Sequence, residues 1–235
     1  MKTKVILFDL DGTLLPMDQD IFVKSYFGLL AKKLAPYGYE PQKLVDAIWK
    51  GTAAMVQNDG TKTNEEVFWC AFRAIFGDAA LSHLPLFEEY YEKDFDKVQS
   101  SCGFAHDAAE LVFSLRARGF RVALATNPIF PAVATRKRIG WAGLSPECFE
   151  LVTVYENSRH CKPNPDYYRD IASALGVLPE ECLMVGNDVG EDMIAETLGM
   201  KVFLLTDCLI NKKSADISRF PHGSFAELRT FLETL

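Results

Sequence analysis

The chain has 235 residues, and its 25 basic and 32 acidic side chains give a formal net charge of −7. With 49% hydrophobic and 24% charged residues, it has an ordinary globular composition, and its acidic balance argues against non-specific binding to nucleic acid or anionic membranes. No apolar stretch approaches the roughly 20 residues of a membrane span, Asp9 interrupts the short apolar run near the N-terminus, and the six cysteines include no Cys-x-x-Cys pair. We therefore expect a cytoplasmic protein without a signal peptide, disulfides or a zinc site.

The first predicted element is a short buried strand at 4–9, which leads into Asp9, Asp11 and Gly12. Alternate residues of an extended chain point the same way, so both carboxylates can face one small volume. Like charges at such a distance require a cation or a proton between them. The pair indicates either a metal-bound nucleophile beside an acid/base or an ordinary Asp-Gly turn. A calcium loop is disfavoured, because Asp20 stands where that loop needs glutamate.

The segment from about residue 19 to 98 has helical periodicity and no convincing strand. Proline and glycine turns separate its apolar stripes. Because this block follows the first strand directly, we interpret it as a helical cap domain inserted at 16–98, over the strand ends. The core domain would then comprise residues 1–15 and 99–235.

From residue 105 onward, predicted strands and helices alternate. Continuous apolar strands separated by helices are typical of a parallel sheet covered on both faces. We therefore predict an α/β core, a Rossmann-like, doubly wound parallel sheet that includes the first strand. The further strands are predicted at 121–125, 151–154, 182–185 and 201–205, and the helices at about 106–118, 130–139, 165–175, 190–198 and 224–234.

Polar residues follow the later strands, at the edge where ligands collect on parallel sheets. Thr126 and Asn127 end the second strand, where a hydroxyl and backbone amides can bind an anion or simply cap a helix. Lys162 precedes two prolines at a predicted helix start, where the helix dipole already favours anions. It is either a phosphate-binding residue or a solvated surface lysine.

The fourth core strand leads into a glycine-containing, acidic turn at 186–192. Carboxylate and carbonyl oxygens such as those of Asn187, Asp188 and Asp192 suit a magnesium ion, although acidic residues also stabilise helix starts. Since Asp9 and Asp11 end a neighbouring strand, we favour the metal interpretation.

Together these segments resemble the four ordered motifs of the haloacid dehalogenase superfamily. The helical insertion also falls where that family places its first type of cap, and the match spans nearly the whole chain. The resemblance implies a magnesium-dependent phosphomonoester hydrolase that acts on a small phosphorylated metabolite through an aspartyl-phosphate. The residues that carry it are Asp9-Leu10-Asp11-Gly12-Thr13, Thr126, Lys162 with Pro163, and Gly186 through Asp192.

The resemblance also implies a role for each catalytic residue. Asp9 would be the nucleophile, and Asp11 would protonate the leaving alcohol and then activate water. Thr126 and the Asn127 amide would hold the transferring phosphoryl group. Lys162 would neutralise the charge of that group and of Asp9.

A magnesium ion would be held by Asp9, the Asp11 carbonyl and Asp188. The family usually has aspartate directly after the glycine of its fourth motif, whereas Asn187 stands there in this chain. Either Asp188 is the direct ligand, with Asp192 behind it, or Asn187 takes the first position. We prefer Asp188, because a divalent cation gains more from a full negative charge.

The aspartate at position 11 favours phosphate esters over carbon–halogen bonds, because halide leaves without a proton and an alkoxide does not. A sugar phosphomutase would keep both aspartates and stays open as an alternative. A non-catalytic phosphate-binding protein would be expected to lose Asp9, Asp11 or Lys162. The chain could be a monomer or a homodimer.

Substrate identity depends on the insertion, whose sequence is less informative. Closure about a hinge near 16–18 would exclude water. Lys50, Lys62 and Arg73 could meet a second anionic group, but we expect solvated positions for them. The aromatic side chains are expected mainly in the core of a helix bundle: Phe22, Tyr26, Phe27, Phe68, Trp69, Phe72 and Phe76.

Overall fold

The computed structural model describes residues 2–235 and contains a five-stranded parallel sheet. The strand order is β2-β1-β3-β4-β5, so the N-terminal strand lies between two strands that come much later in the chain. Every neighbouring pair runs parallel. The strands are β1 Val5–Phe8, β2 Arg121–Leu124, β3 Cys182–Gly186, β4 Lys201–Leu205 and β5 His222–Gly223.

Helices cover both faces of this sheet. Ile6 and Phe8 of β1 pack into the core that includes residues of the insertion and of the helices at 106–117, 132–141 and 225–233, whereas Val5 and Leu7 pack into the core on the side of the helix at 165–174. The α-helices are α1 Gln19–Leu34, α2 Pro41–Val56, α3 Asn64–Phe76, α4 Ala79–Ser82, α5 Leu84–Glu89, α6 His106–Ala117, α7 Ala132–Trp141, α8 Pro165–Ala174 and α9 Phe225–Glu233. The predicted doubly wound α/β architecture is confirmed.

Local sequence explains where several helices begin. The Asp18 carboxylate accepts hydrogen bonds from the N–H groups of Asp20 and Ile21 at the start of α1. Thr63 and Glu66 form a reciprocal capping box at the start of α3. These side chains satisfy N–H groups that have no partner inside a helix.

The strand predicted at 151–154 is wrong as a full sheet member, because it forms a single bridge between Leu124 and Val152. The chain turns away at the next residues. The Tyr155 N–H, which would pair next with the Thr126 carbonyl, instead donates to the Phe130 carbonyl at 3.1 Å, so the pairing does not extend.

The region after β3 also differs from the prediction. Instead of a helix over 190–198, a 3-10 helix spans Met193–Leu198. The Asp188 carboxylate accepts the N–H groups of Gly190 and Glu191 at 2.7 and 2.9 Å. This turn occupies the residues that were expected to begin the helix.

The secondary-structure elements between β1 and α6 are helices, and the last of them is a 3-10 helix at Phe95–Ser101. Its two connections to the sheet lie side by side, because Met17 bridges Cys102 and Gly103 donates to the Pro16 carbonyl at 2.7 Å. This pairing is consistent with a double-stranded linker, and the domain boundaries at 16 and 98 stay a prediction. In residues 2–235 no helix is both long and apolar enough to cross a membrane.

Candidate active site

The carboxyl ends of three strands meet at one edge of the sheet, because Phe8 is in register with both Leu124 and Val185. The residues that follow these strands line one cavity beneath the helical insertion. Its polar lining comprises Asp9, Asp11, Gln19, Thr52, Thr126, Asn127, Asn187, Asp188, Glu191, Asp192 and Lys212. The structure thus brings the predicted motifs together, and Lys162 joins them through its contact with Asp9.

A buried ion cluster forms the floor of this cavity. The Lys162 ammonium donates to Asp9 Oδ1 at 2.8 Å and to Asp192 Oδ1 at 2.6 Å. The Lys162 and Asp192 side chains are each 1% exposed, and the Asp9 side chain is 10% exposed. The interpretation of Lys162 as a solvated surface residue is therefore wrong.

The charges in this cluster depend strongly on one another. Burial raises the pKa of Asp9 to about 8, against the opposing effect of the Lys162 charge. Burial alone would lower the pKa of Lys162, but Asp192 and Asp9 outweigh it and keep the pKa well above its usual range. Lys162 is therefore a fixed cation, whereas Asp9 needs further positive charge to stay ionised at neutral pH.

Asp192 links Lys162 to the turn that follows β3. In addition to its contact with Lys162, its Oδ2 accepts the backbone N–H of Asp188 at 2.9 Å. A Cβ atom on Gly186 would lie only 2.1 Å from the Asp192 carboxylate. Glycine at the end of β3 is thus required for this close approach, and the Asp192 contacts fit a role in positioning Lys162.

The Asp11 carboxylate contacts a residue that was not predicted from the sequence. Its Oδ2 accepts from Arg138 Nη1 on α7. Among residues 2–235, its Oδ1 is buried without a hydrogen-bond partner. Burial raises the pKa of Asp11, and the charges of Arg138 and Lys162 act against burial.

Arg138 is 1% exposed, although it looks like a surface residue in the basic sequence Arg136-Lys137-Arg138. Its guanidinium carbon lies 4.4 Å from the centroid of the Phe130 ring. Helical spacing could have identified Arg138 as buried. The apolar residue Ala134 lies four residues earlier on the same face of the helix, and it is also fully buried.

Several hydrogen bonds fix the backbone turn that follows β2. The Thr126 carbonyl accepts from Thr153 Oγ1 at 2.7 Å and from the Tyr167 hydroxyl at 2.9 Å. The Asn127 side chain accepts the backbone N–H of Lys162 at 3.3 Å and donates to Glu191 at 2.9 Å. Asn127 thereby links the second and third motifs. Burial raises the pKa of Glu191 to about 7.

Both candidates for the last metal ligand reach the cavity wall. Asn187 is 2% exposed, accepts from Thr13 Oγ1 at 3.2 Å and donates to the Cys208 carbonyl at 2.6 Å. Asp188 uses Oδ1 for the turn N–H groups of Gly190 and Glu191. Burial raises the pKa of Asp188.

The donor set fits a magnesium ion better than a transition metal. Across residues 2–235, no three His, Cys, Asp or Glu side chains are grouped to hold a metal by themselves. Magnesium, however, is commonly bound by one or two carboxylates with water in the remaining positions. Asp9 and the Asn187–Asp188 turn supply such oxygens at the cavity wall, the Asp11 backbone carbonyl would add another, and a cation there would help to keep Asp9 ionised.

The basic residues suggested for the insertion do not reach this cavity. Lys50, Lys62 and Arg73 are exposed, and Arg73 pairs with Asp78. Lys212, which follows β4 and was not singled out from the sequence, is the basic residue that lines the cavity.

Comparison with known proteins agrees with this geometry. A family model described as haloacid dehalogenase-like hydrolase matches residues 3–195. A phosphoglycolate phosphatase of Cereibacter sphaeroides is 29% identical over 242 aligned positions, covering 98% of each chain. The pyrophosphatase PpaX of Bacillus cereus is 25% identical over 201 positions, covering 86% of this chain and 82% of its own.

Solved structures show the same fold. A haloacid dehalogenase-type phosphatase from Thermococcus onnurineus superposes with a TM-score of 0.59 at 21% identity, covering 99% of this chain and 98% of its own. The L-2-haloacid dehalogenase of Xanthobacter autotrophicus gives a TM-score of 0.58 at 17% identity, covering 99% of both chains. At such identities the likeness concerns the fold alone. The family match over most of the chain, together with the assembled motifs, shows that this chain is an enzyme of the haloacid dehalogenase-like hydrolase family.

Proposed function

We propose that this chain is a magnesium-dependent phosphomonoester hydrolase that acts on a small phosphorylated metabolite. The observation that carries the proposal is the buried contact of Asp9 with Lys162, at 2.8 Å, with Asp11 on the same cavity wall. The phosphatase names of the two sequence relatives support the same reaction class.

Asp9 is the proposed nucleophile. One of its carboxylate oxygens attacks phosphorus, and the bond between phosphorus and the leaving oxygen breaks to form an aspartyl-phosphate. Lys162 stays charged beside Asp9 and stabilises the added negative charge. The corner formed by Thr126 and the Asn127 backbone amide is proposed to bind the phosphoryl oxygens.

Asp11 is the proposed proton carrier. Burial favours its protonated form, which can give its proton to the departing alkoxide. The resulting carboxylate, stabilised by Arg138, can then accept a proton from the water that cleaves the aspartyl-phosphate. This use of Asp11 distinguishes phosphate esters from organic halides, because a halide departs as a stable anion.

The proposed magnesium ligands are Asp9, the Asp11 carbonyl and Asp188. Bound magnesium would neutralise phosphoryl oxygens and lower the repulsion among the carboxylates. Asp188 is preferred over Asn187 because it carries a negative charge and the turn N–H groups use only its Oδ1. Asn187 then fixes Thr13, and Asp192 fixes Lys162.

Hydrolysis of p-nitrophenyl phosphate tests this proposal. We expect magnesium-dependent release of inorganic phosphate, loss of activity with a chelator, and loss in Asp9→Asn. The matched control is Asp107→Asn, because the Asp107 side chain is 61% exposed on α6 and should be dispensable. Activity without a divalent metal, or an active Asp9→Asn enzyme, would contradict the proposal.

A further inference from the structure

A second space adjoins the catalytic cavity on the side of the insertion. We call it the cap chamber, and its walls include Phe27, Phe68, Trp69, Phe87, Pro131 and Tyr155. It lies between helices α1 to α3 and the segment that follows β2. The chamber has a cavity volume of about 80 Å³.

The cap chamber adjoins the catalytic cavity. Val23, Trp49, Thr52, Ile129 and Phe130 line both spaces. These shared residues give the alcohol portion of a phosphate ester bound at Asp9 a direction in which it can extend toward the insertion. That direction leads from charged groups into an aromatic enclosure.

The chamber walls carry no charge, since none of the residues of 2–235 that form its lining is Asp, Glu, Lys, Arg or His. Burial raises the pKa of Tyr155, with the nearby Trp69 indole acting in the opposite direction, so this hydroxyl is neutral as well. A carboxylate or second phosphate placed there would lose water without meeting a cation. The chamber thus disfavours an anionic group that enters it.

One polar atom in the chamber lacks a partner. Trp69 Nε1 is buried and makes no well-aligned hydrogen bond among residues 2–235, although it lies close enough to the Tyr155 hydroxyl to lower the pKa of that group. The indole ring is held edge-on by Phe68 and Phe87, with ring centroids 5.3 Å away in both cases. A buried donor without an acceptor is unfavourable, and a ligand atom that accepts from it would remove that cost.

Trp49 provides an apolar surface at the opening between the two spaces. It is 50% exposed, and its ring meets Phe27 at 5.4 Å in an edge-to-face arrangement. A half-exposed tryptophan beside a catalytic cavity can cover the ring of a bound molecule.

We propose that the preferred substrates are phosphate monoesters of uncharged, ring-bearing alcohols that place the ring in the cap chamber and a hydrogen-bond acceptor near Trp69 Nε1. This inference rests on the proposed phosphatase activity and names its substrate class. The inferred substrate class differs from the substrate in the name of the phosphoglycolate phosphatase relative, because glycolate carries a carboxylate and has no ring.

Four alkyl phosphates with unactivated leaving groups test the inference: ethyl phosphate, phosphoglycolate, benzyl phosphate and 3-pyridylmethyl phosphate. We expect kcat/KM for benzyl phosphate to exceed that for phosphoglycolate on the order of 100-fold, as for apolar pockets that discriminate by buried groups. The pyridyl ester, which adds an acceptor to the same ring, should gain a further factor of about 3 to 10.

Two variants localise the preference. Trp69→Phe retains an aromatic ring but lacks the donor, so the ratio of kcat/KM for the pyridylmethyl and benzyl esters should fall to about 1. Trp49→Leu should reduce the preference for benzyl over ethyl phosphate. The control is Phe113→Leu, because Phe113 is 52% exposed on α6, outside the chamber, and should leave this preference unchanged.

The outcomes are distinguishable. If p-nitrophenyl phosphate and all four esters resist hydrolysis, the proposed function itself is contradicted. If phosphoglycolate or ethyl phosphate is hydrolysed at least as efficiently as benzyl phosphate, the phosphatase assignment stands and the inferred substrate class is overturned. A pyridylmethyl-to-benzyl ratio that survives Trp69→Phe would overturn the role of the indole N–H.

Discussion

The floor and the roof of the catalytic cavity differ in polarity, because ionic side chains form the floor and aromatic side chains form the roof. The floor holds Asp9, Lys162 and Asp192 in direct ionic contact at the ends of sheet strands, whereas the roof is an aromatic enclosure in the helical insertion. Ionic groups that are this buried tolerate few arrangements, because each lost partner leaves an uncompensated charge. Apolar walls tolerate many sequences. The chemistry should therefore be sensitive to single atoms on the floor, and substrate choice should vary with the roof.

The strongest effect short of losing the nucleophile is expected for Asp11→Asn, which removes the proton carrier. The fall in kcat should reach about 10² to 10⁴-fold for ethyl phosphate, whose alkoxide needs a proton. p-Nitrophenyl phosphate should lose less in the first step, because nitrophenolate leaves unaided. Steady-state and pre-steady-state rates on both esters measure the difference. Equal losses of the first step for the two leaving groups would argue against proton donation by Asp11.

Lys162→Met tests the floor as a structural as well as a chemical unit. We expect a loss of about 10² to 10³-fold in kcat, the usual effect of removing one charge-stabilising donor. The free energy of unfolding should also fall by about 3–5 kcal/mol, because Asp9 and Asp192 would remain buried without their cation. Urea denaturation measures the second effect. A fully stable Lys162→Met variant would contradict the description of this cluster.

The metal assignment should give a smaller and more specific effect. Asp188→Asn is expected to raise the magnesium concentration needed for half-maximal activity on the order of 10- to 100-fold. The comparison variant is Asn187→Asp, which adds a charge at the neighbouring position. If Asn187→Asp changes magnesium affinity while Asp188→Asn does not, position 187 is the ligand instead.

The smallest effect on catalysis is expected in the core of the insertion. Phe72 is fully buried there and stacks on Phe68 with ring centroids 5.8 Å apart. Phe72→Ala should lower the free energy of unfolding by about 3–5 kcal/mol while changing kcat for p-nitrophenyl phosphate less than tenfold. A drop in kcat as large as that of Lys162→Met, in protein shown to be folded, would erase the distinction between floor and roof.

The same contrast explains how far the sequence alone was informative. Asp9 and Lys162 could be identified because their chemistry is concentrated in short segments directly after apolar strands. Arg138 could not, since its contact with Asp11 joins residues 127 positions apart and its neighbours in sequence are also basic. The strand predicted at 151–154 shows that an apolar run alone does not establish full pairing, because the N–H that would continue the pairing, that of Tyr155, donates to the Phe130 carbonyl instead.

The insertion was predictable as helical but not in its detail. The expectation of a helix-bundle core is confirmed for Phe22, Tyr26 and Phe72, which are buried. Tyr26 also lines the cap chamber, as do Phe27, Phe68 and Trp69, which are only partly buried against that core. Helical periodicity gives the inward face of each helix, but whether that face meets another helix or a cavity depends on how the helices pack against one another.

The central claim is that Asp9 attacks phosphorus, and capture of the phosphorylated enzyme tests it most directly. Excess enzyme is mixed with substrate for a single turnover and quenched rapidly in acid, and the peptide that contains Asp9 is analysed by mass spectrometry. The account predicts a phosphorylated Asp9 peptide that forms and decays during the turnover and that is absent from Asp9→Asn. Turnover with no phosphorylated Asp9 at any quench time, and full activity of Asp9→Asn, would contradict the account.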